Sequence, residues 1–379
     1  MTKKVQTAAY YFPNYHQDAR NDRWHGKGWT EWELMKRAEP RFEGHEQPKI
    51  PLWGYEDEAD PAVMARKIDA AADHGIDAFL FDWYWYEDGP YLQRGLEEGF
   101  LRAPNADRLQ FALMWANHDW IDIHPLTRAL QPPTLAPGAV SEKAFVEATD
   151  HMIRAYFSHP SYWRVNGGLY FSIYELMNLV GGLGGLEATK RIFRGFRSRV
   201  REAGLGELHL NAVVWGVQIL PGEEKIERPN ELLTELGIDS VTSYVWLHHV
   251  GLPEFPVTDY GWWTERSLAK MESLAADYPV PYFPNVTMGW DTSPRTVQSD
   301  TYEPIGYQYM ATVSGNTPER FEEALRRTKR LAETAAERGE GLPIVTINAW
   351  NEWTEGSYLE PDTKHGMGYL EAVKRVFGT

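Results

Sequence analysis

The sequence predicts an α/β fold, a single (β/α)8 TIM barrel with long loops after its strands. Eight short apolar, β-branched or aromatic runs alternate with longer stretches of helical periodicity, which is the pattern of parallel α/β proteins. No glycine fingerprint follows the first run, so an open doubly wound sheet is the less favoured alternative. No internal repeat or low-complexity linker marks a boundary, and we therefore expect residues 1–379 to form one domain.

The predicted strands and helices follow one another in pairs along the chain. The strands cover residues 6–12, 76–83, 109–115, 168–174, 207–215, 238–244, 281–287 and 343–349. The helices cover residues 61–74, 91–102, 141–157, 186–203, 229–236, 259–277, 317–339 and 366–377. Asp60-Pro61 and Thr317-Pro318 each place a capping side chain before a proline, which is a strong signal for a helix start. His74-Gly75 provides a matching stop signal.

Three of the connections that follow strands are unusually long. They cover residues 13–60, 116–140 and 288–316. In a (β/α)8 barrel the loops after strands all lie at the C-terminal face, where active sites are built. The first and second of these loops are too rich in tryptophan for disorder, so we expect a functional site on this face.

Charge and composition exclude several classes of function. Lys plus Arg number 38 and Asp plus Glu number 54, a formal charge of −16 that repels nucleic acid and anionic lipid surfaces. There is no cysteine, which excludes disulfides, thiolate nucleophiles and cysteine-ligated zinc. We find no apolar run long enough for a membrane span and no secretory signal at the N-terminus. We therefore expect a cytoplasmic protein, although a periplasmic or secreted location and the oligomeric state stay open.

The aromatic content points to a flat ligand. The chain has 16 Trp, 20 Tyr and 15 Phe, more indole than a core alone ordinarily needs. Trp and Tyr combine an apolar face with a polar tip, which suits a ligand bound through one face and one edge. Sugar rings are the obvious case.

The strongest candidate site follows the last predicted strand, in the run Asn351-Glu352-Trp353-Thr354-Glu355-Gly356. Two carboxyl groups at the end of a barrel strand are what acid/base cleavage of a glycoside requires, at about 5 to 5.5 Å for retention or about 6.5 to 9.5 Å for inversion. Close carboxyl groups also separate their pKa values, leaving one protonated and one ionised. We therefore predict that Glu352 and Glu355 are catalytic. The alternative is that one caps a helix or pairs with an arginine.

Other strand ends carry aromatic and hydrogen-bonding side chains that suit a sugar. The predicted substrate-binding residues are Tyr11, Asn14, His16, Trp29, Asp82, Trp85, Asn117, His118, Tyr244, Trp350, Asn351 and Trp353. Each is weak evidence alone, but their convergence on one rim is hard to explain as packing. Glu31 and Glu33, in the first long loop, are interpreted as solvated or structural.

No metal or cofactor is expected. His118, Asp119, Asp122 and His124 lie close in sequence, but without a recognisable ligand spacing. No Walker loop, G-x-S-x-G elbow or H-E-x-x-H motif is present. Two carboxyl groups suffice for glycoside cleavage, so the expected partner is a polysaccharide or oligosaccharide alone.

Several of these motifs resemble a known family. Tyr11-Phe12-Pro13-Asn14-Tyr15-His16, Gly28-Trp29-Thr30-Glu31-Trp32, Gly44-His45-Glu46-Gln47-Pro48 and Phe81-Asp82-Trp83-Tyr84-Trp85 resemble the WbsX-type proteins. These are bacterial relatives of glycoside hydrolase family 99, often found with surface-polysaccharide functions such as the O-antigen of lipopolysaccharide, and sometimes labelled glycosyltransferases. The run at 351–356, followed by Glu360-Pro361, resembles the N-E-W-H-E-G element of family 99 itself, the endo-acting α-mannosidases and α-mannanases. The first resemblance covers nearly the whole chain, and the second is centred on the last motif and the barrel.

The family 99 resemblance implies a mechanism. Glu352 would match the base that deprotonates the sugar's own 2-hydroxyl group, and Glu355 the acid that protonates the leaving oxygen, with retention through a 1,2-anhydro sugar. Thr354 stands where the mannosidases have His, which leaves the sugar and the anomer open. We expect a retaining, endo-acting glycoside hydrolase on a bacterial polysaccharide or complex glycan. The alternatives are a glycosyltransferase in polysaccharide assembly and a catalytically inactive glycan-binding protein.

Overall fold

A computed structural model describes residues 4–125, 132–216, 228–297 and 299–378. Its core is a sheet of parallel strands in the order that the sequence predicts. These strands are β1 (Gln6–Tyr11), β2 (Ala78–Tyr86), β3 (Gln110–Trp115), β4 (Gly168–Ile173), β5 (Leu208–Val213), β6 (Ser240–Thr242), β7 (Tyr282–Phe283 and Asn285–Thr287) and β8 (Ile344–Asn348). Each strand up to β6 pairs in parallel with the next, and β1 also pairs with β8.

The barrel closes through the two pieces of β7. Tyr282 pairs with Val241 of β6, whereas Val286 pairs with Ile347 of β8. Pro284 lies between the pieces and has no N–H to donate to a ladder, so the strand changes partner at this residue. The result is a nearly closed barrel of nine parallel strand segments, which confirms the predicted fold class.

Helices surround the barrel, and most of them match the predictions. They span Ala19–His25, Trp32–Met35, Pro61–Asp73, Glu142–Ala155, Leu176–Gly182, Leu186–Glu202, Pro229–Leu236, Tyr260–Asp277, Pro318–Glu337 and Gly368–Phe377. The predicted caps are present, since the Asp60 and Thr317 side chains accept hydrogen bonds from the backbone N–H groups of Ala62 and Arg320. No helix in the described ranges is long and apolar enough to cross a membrane.

The predicted helix at 91–102 is corrected by the structure. Gly89–Tyr91 instead forms a short strand antiparallel to the end of β2. Only Gly95–Phe100 is helical, and it forms a short π-helix. Gly99 packs directly on the backbone of Glu58, where a Cβ atom would lie 2.1 Å from the carbonyl oxygen. This close approach, together with two glycines in six residues, favours a short turn over a regular helix.

The aromatic residues mainly build the core. The largest fully buried side chains include Trp115, Trp163, Trp246, Trp263, Trp290, Trp350 and Trp353. The expectation that the indole content chiefly serves a ligand is therefore wrong for most of these tryptophans. Their N–H groups have internal partners in several cases, as when Trp246 Nε1 donates to the carbonyl of Asn285 at 2.8 Å.

Candidate active site

A cavity opens at the carboxyl ends of the barrel strands. Its lining comes from the ends of most strands and from the long loop after β3. The lining residues are Phe12, Asp82, Tyr84, Met114, Ala116, His118, Asp119, Trp120, Ile121, Ile123, His124, Tyr174, Tyr244, Val245, His248, Trp290, Arg295, Tyr307, Glu352 and Glu355. Both predicted catalytic acids therefore face one cavity on the predicted face of the barrel.

Tyr244 joins two carboxyl groups in this cavity. Its hydroxyl oxygen lies 2.9 Å from Asp82 Oδ2 and 2.9 Å from Glu352 Oε1. A phenol has one proton, so it donates to only one of the two oxygens. The second contact is a hydrogen bond only when the other carboxyl group is protonated and donates to the phenol oxygen. Both contacts are therefore hydrogen bonds only in the form in which Asp82 and Glu352 together hold one proton.

The electrostatics agree with this proton count. Burial raises the pKa of Glu352 well above its ordinary value, and repulsion from Glu355 adds to the rise. Burial also raises the pKa of Asp82 well above its ordinary value, against the hydrogen bond from Tyr244, which lowers it. Burial raises the pKa of Tyr244 as well, so the phenol keeps its proton.

Arg295 neutralises the other side of the acid pair. Its Nη1 donates to Glu355 Oε1 at 2.7 Å, and its Nη2 lies 3.7 Å from Glu352 Oε2. Glu355 Oε1 also accepts from the Tyr307 hydroxyl at 2.8 Å. Arg295 Nε and Nη2 donate to Glu31 Oε1 at 3.1 and 3.0 Å. One guanidinium thus holds three carboxyl groups from distant parts of the chain.

The turn that carries the acids is held by buried polar contacts. The Asn351 side chain pairs with the backbone of Phe12, accepting from its N–H and donating to its carbonyl, both at 2.8 Å. Glu360 accepts the indole N–H of Trp350 at 2.9 Å and that of Trp353 at 2.7 Å. Lys67 Nζ lies 2.7 Å from Glu360 Oε1, and both side chains are buried. These contacts orient Glu352 and Glu355, and of the residues that make them only Phe12 lines the cavity.

Only some of the predicted binding residues line the cavity. Asp82, His118 and Tyr244 do. The others are absent from the lining, namely Tyr11, Asn14, His16, Trp29, Trp85, Asn117, Trp350, Asn351 and Trp353. For these nine the expectation of direct contact is corrected, because their side chains lie outside the lining of the cavity.

Internal partners account for most of these corrections. Tyr11 and His16 both bind Glu58, at 2.9 and 3.0 Å, and Asn117 pairs with the backbone of Glu175. Asn14 donates to Glu31 at 2.7 Å. Two of the aromatic residues pack on other rings: Trp29 lies against His25 in a tilted arrangement, and Trp85 stacks on Trp83.

Several cavity residues were not among the predicted binding residues. Arg295 and Tyr307 lie in the long loop after β7. Arg295 follows Trp290-Asp291 at the end of a predicted strand and was only a weak indication of a site, and no motif marks Tyr307. Glu31 is buried, binds Arg295 and accepts a hydrogen bond from Thr354, so it is structural as interpreted, whereas Glu33 pairs with Lys36 at the surface. The rings of Trp120 and His124 stack with their centroids 4.9 Å apart. In the sequence these two residues stand in a run rich in aromatic and acidic residues, which did not single them out. Within the described ranges, no group of three or more His, Asp or Glu side chains could hold a metal ion.

The free energy of unfolding is expected to fall as the pH rises through the raised pKa of Asp82. A carboxyl group with a raised folded pKa favours folding while it is protonated, and that contribution is lost as the pH climbs from its ordinary value, 3.8 for Asp82, through the folded value. Asp82→Asn keeps the shape without the charge. We expect it to raise the free energy of unfolding by about 1 to 3 kcal/mol at pH 8 and to leave it nearly unchanged at pH 4.

Denaturant titrations at the two pH values measure this difference. Asp88→Asn is the matched control, because the Asp88 side chain is 68% exposed and its ion pair with Arg20 contributes little. A gain for Asp82→Asn of the same size at both pH values would contradict the shared proton.

Comparison with known proteins identifies a matching family. The family model described as Glycosyltransferase WbsX matches residues 7–373. Two relatives from Xanthomonas campestris pv. campestris, strains B100 and ATCC 33913, are each described as "Uncharacterized protein WxcX". They are 32% and 31% identical over 99% of the chain. The chain spans 50% of the length of these relatives.

Solved structures share the fold. The GH99 endo-α-mannosidase of Bacteroides thetaiotaomicron, in complex with BIS-TRIS-propane, is 13% identical with a TM-score of 0.59, over 98% of this chain and 95% of that one. A structure described as a glycoside hydrolase-like protein is 14% identical with a TM-score of 0.63, over 100% of this chain and 96% of that one. These similarities show that the chain has the same barrel fold as these two proteins.

Proposed function

This chain belongs to the WbsX family, and from that membership and its acid pair we propose that it is a retaining, endo-acting glycoside hydrolase. The proposed substrate is a bacterial surface polysaccharide or another complex glycan, with α-mannoside-like linkages the first to test. One observation carries the proposal. Glu352 and Glu355 are two buried carboxyl groups on one guanidinium, at the C-terminal face of a barrel with a glycoside hydrolase-like fold.

The proposed first step forms a 1,2-anhydro sugar. The carboxylate of Glu352 takes the proton of the substrate's 2-hydroxyl group, and the 2-oxygen attacks the anomeric carbon. The bond from that carbon to the leaving oxygen breaks, and the carboxylic acid of Glu355 gives its proton to the leaving oxygen.

The second step reverses both proton transfers. The Glu355 carboxylate takes a proton from water, whose oxygen attacks the anomeric carbon and opens the anhydro ring. Glu352 returns its proton to the 2-oxygen. Both acids regain their starting states, and two inversions at the anomeric carbon give net retention.

The charge balance of the site supports acid/base chemistry. Glu31, Asp82, Glu352 and Glu355 are four carboxyl groups, and among the described residues Arg295 is the one guanidinium that contacts any of them. Burial raises the pKa of Asp82 and of Glu352, which favours proton exchange between this cluster and a substrate. The raised pKa of Glu352 also makes its ionised form a stronger base.

A glycosyltransferase is the second candidate, because the family carries that name. A sugar-nucleotide donor brings two phosphates, which need cations close by. In the part of the chain that the structure describes, Arg295 is the only Lys or Arg that lines the cavity, and its N–H groups are directed at Glu31, Glu355 and Tyr307. This arrangement favours hydrolysis over transfer. A glycan-binding protein without turnover is the third candidate.

A mass-spectrometric screen tests the proposal. Wild type and Glu355→Gln are incubated with α-mannans, O-antigens and capsular polysaccharides, without added nucleotide or metal. We expect internal fragments from wild type alone, and their lengths separate endo from exo cleavage. Products that form only when sugar nucleotides and Mn²⁺ are added would support transfer instead. Glycan binding equal in both proteins, with no product, would support the binding protein.

The anhydro-sugar step predicts a specific dependence on the 2-hydroxyl group. A 2-O-methyl version of the substrate that the screen identifies has no proton for Glu352 to remove. We expect it to bind, and its turnover to fall by at least about 100-fold. The 3-O-methyl isomer serves as the control for bulk. Normal turnover of the 2-O-methyl compound would exclude this route and favour direct attack by a carboxylate.

A further inference from the structure

Four aliphatic residues line the cavity beside its aromatic ones, and the proposed acid chemistry does not use them. These residues, which we call the aliphatic wall, are Ala116, Ile121, Ile123 and Val245, and each is at most 6% exposed. Proteins commonly match the flat face of a sugar ring with an aromatic side chain. Branched aliphatic side chains instead offer a rounded apolar surface, which gains most from contact with a methyl group.

This wall lies next to the catalytic pair. Ile121 and Ile123 pack on Tyr309, and Tyr307 packs against the same cluster. The Tyr307 hydroxyl donates to Glu355 at 2.8 Å. The carbonyl of Ile123 accepts from Gln308 Nε2 at 3.0 Å, which fixes the loop. A sugar whose glycosidic oxygen reaches Glu355 is therefore close to the aliphatic wall.

The polar part of the cavity restricts the charge of the ligand. Asp82 Oδ1 and Glu352 Oε2 are buried and accept no hydrogen bond from the described residues, although both side chains line the cavity. Buried acceptors of this kind need donors, which sugar hydroxyl or amide groups supply. Asp82, Asp119, Glu352 and Glu355 together repel a carboxylate, sulfate or phosphate on the ligand.

We infer that the sugar unit bound beside Glu352 and Glu355 carries no negative charge and bears a methyl group, on C6 of a 6-deoxy sugar or in an N-acetyl substituent. This inference rests on the proposed function, since it places a glycoside in the cavity. It predicts a specificity set by Ile121, Ile123 and Val245 rather than by the acids.

Direct binding tests the inference without any need for turnover. Methyl glycosides are titrated against wild type by NMR in matched pairs, namely L-rhamnoside with L-mannoside, L-fucoside with L-galactoside, N-acetyl-D-glucosaminide with D-glucoside, and D-glucuronide with D-glucoside. We expect at least one methyl-bearing sugar to bind about fourfold tighter than its partner, the gain for one buried methyl group. We expect the glucuronide to bind at least about tenfold weaker than the glucoside.

One variant tests whether Val245 contributes to the preference for a methyl-bearing sugar. Val245→Thr replaces one methyl group of the wall by a hydroxyl group at constant shape, and we expect it to reduce the methyl preference to less than about twofold. Val165→Thr is the matched control, since Val165 is equally buried but does not line the cavity. Thermal unfolding of both variants checks that they fold.

The outcomes separate the two proposals. Equal affinities within every neutral pair, or tighter binding of the glucuronide, would overturn the inference and leave a carbohydrate site standing. Binding of no probe at all would overturn both. If Val245→Thr does not fold, the wild-type pairs decide alone.

Discussion

Replacing Glu355 with glutamine is expected to lower kcat on the natural glycan by about 100- to 10,000-fold, the loss typical of a missing general acid. The amide in Glu355→Gln would keep the size of the side chain and its contact with Arg295, but it has no proton to give to the leaving oxygen. An activated aryl glycoside of the same sugar needs little protonation, so we expect a much smaller loss on it. Steady-state kinetics on both substrates measure the difference.

The matched control is Glu33→Gln. Glu33 lies in the first long loop, where its carboxylate pairs with Lys36 at the surface, and we expect kcat to stay within about twofold of wild type. Equal losses for Glu355→Gln on the two substrates would assign Glu355 a role other than general acid, such as positioning Arg295.

The second large effect concerns stability. Arg295→Met removes the guanidinium that contacts Glu31, Glu352 and Glu355, all of which are buried. Breaking a buried ion pair costs about 3 to 5 kcal/mol of unfolding free energy, and we expect a loss of this size at pH 8. At pH 5 the loss should be smaller, because the raised pKa of Glu352 favours its protonation as the pH falls, and a protonated carboxyl group needs no counter-charge.

Denaturant titrations at the two pH values test this expectation, and a double-mutant cycle apportions it. Glu31→Gln removes one of the stranded charges, so the double variant Arg295→Met/Glu31→Gln should recover at least about 1 kcal/mol relative to the sum of the single effects. If Arg295→Met does not fold, Arg295→Lys with Glu31→Gln gives the same comparison. Additive losses would mean that Arg295 stabilises the chain by packing and not by charge.

Most of the barrel could be predicted from the sequence because local signals agree with the global fold. The eight strands lie where apolar runs stand, and caps such as Asp60 and Thr317 mark their helices. The division of β7 followed from a signal that the sequence contains, since Pro284 stands in the middle of the predicted strand. The short π-helix Gly95–Phe100 could not be predicted in this way, because it depends on the close contact between Gly99 and the backbone of Glu58, which is distant in sequence.

The site was predictable only in part, for a related reason. Glu352 and Glu355 lie in a local motif, but their partner Arg295 is 57 and 60 residues away and Tyr244 is 108 residues from Glu352. Periodicity carries no information on such pairs. Nor does a motif say where its side chains point: in 351–356 the acids face the cavity, while Trp353 turns into the core to meet Glu360.

The Glu360 contacts also limit how this chain can diverge. Glu360 binds two indoles and an ammonium group, from Trp350, Trp353 and Lys67. Losing either indole would leave a carboxylate oxygen short of a donor, and losing the lysine would leave a buried charge uncompensated. Each single substitution is therefore destabilising, even though none of these residues lines the cavity. These four positions should therefore change together or stay fixed, while the aliphatic residues that line the cavity can change one methyl group at a time.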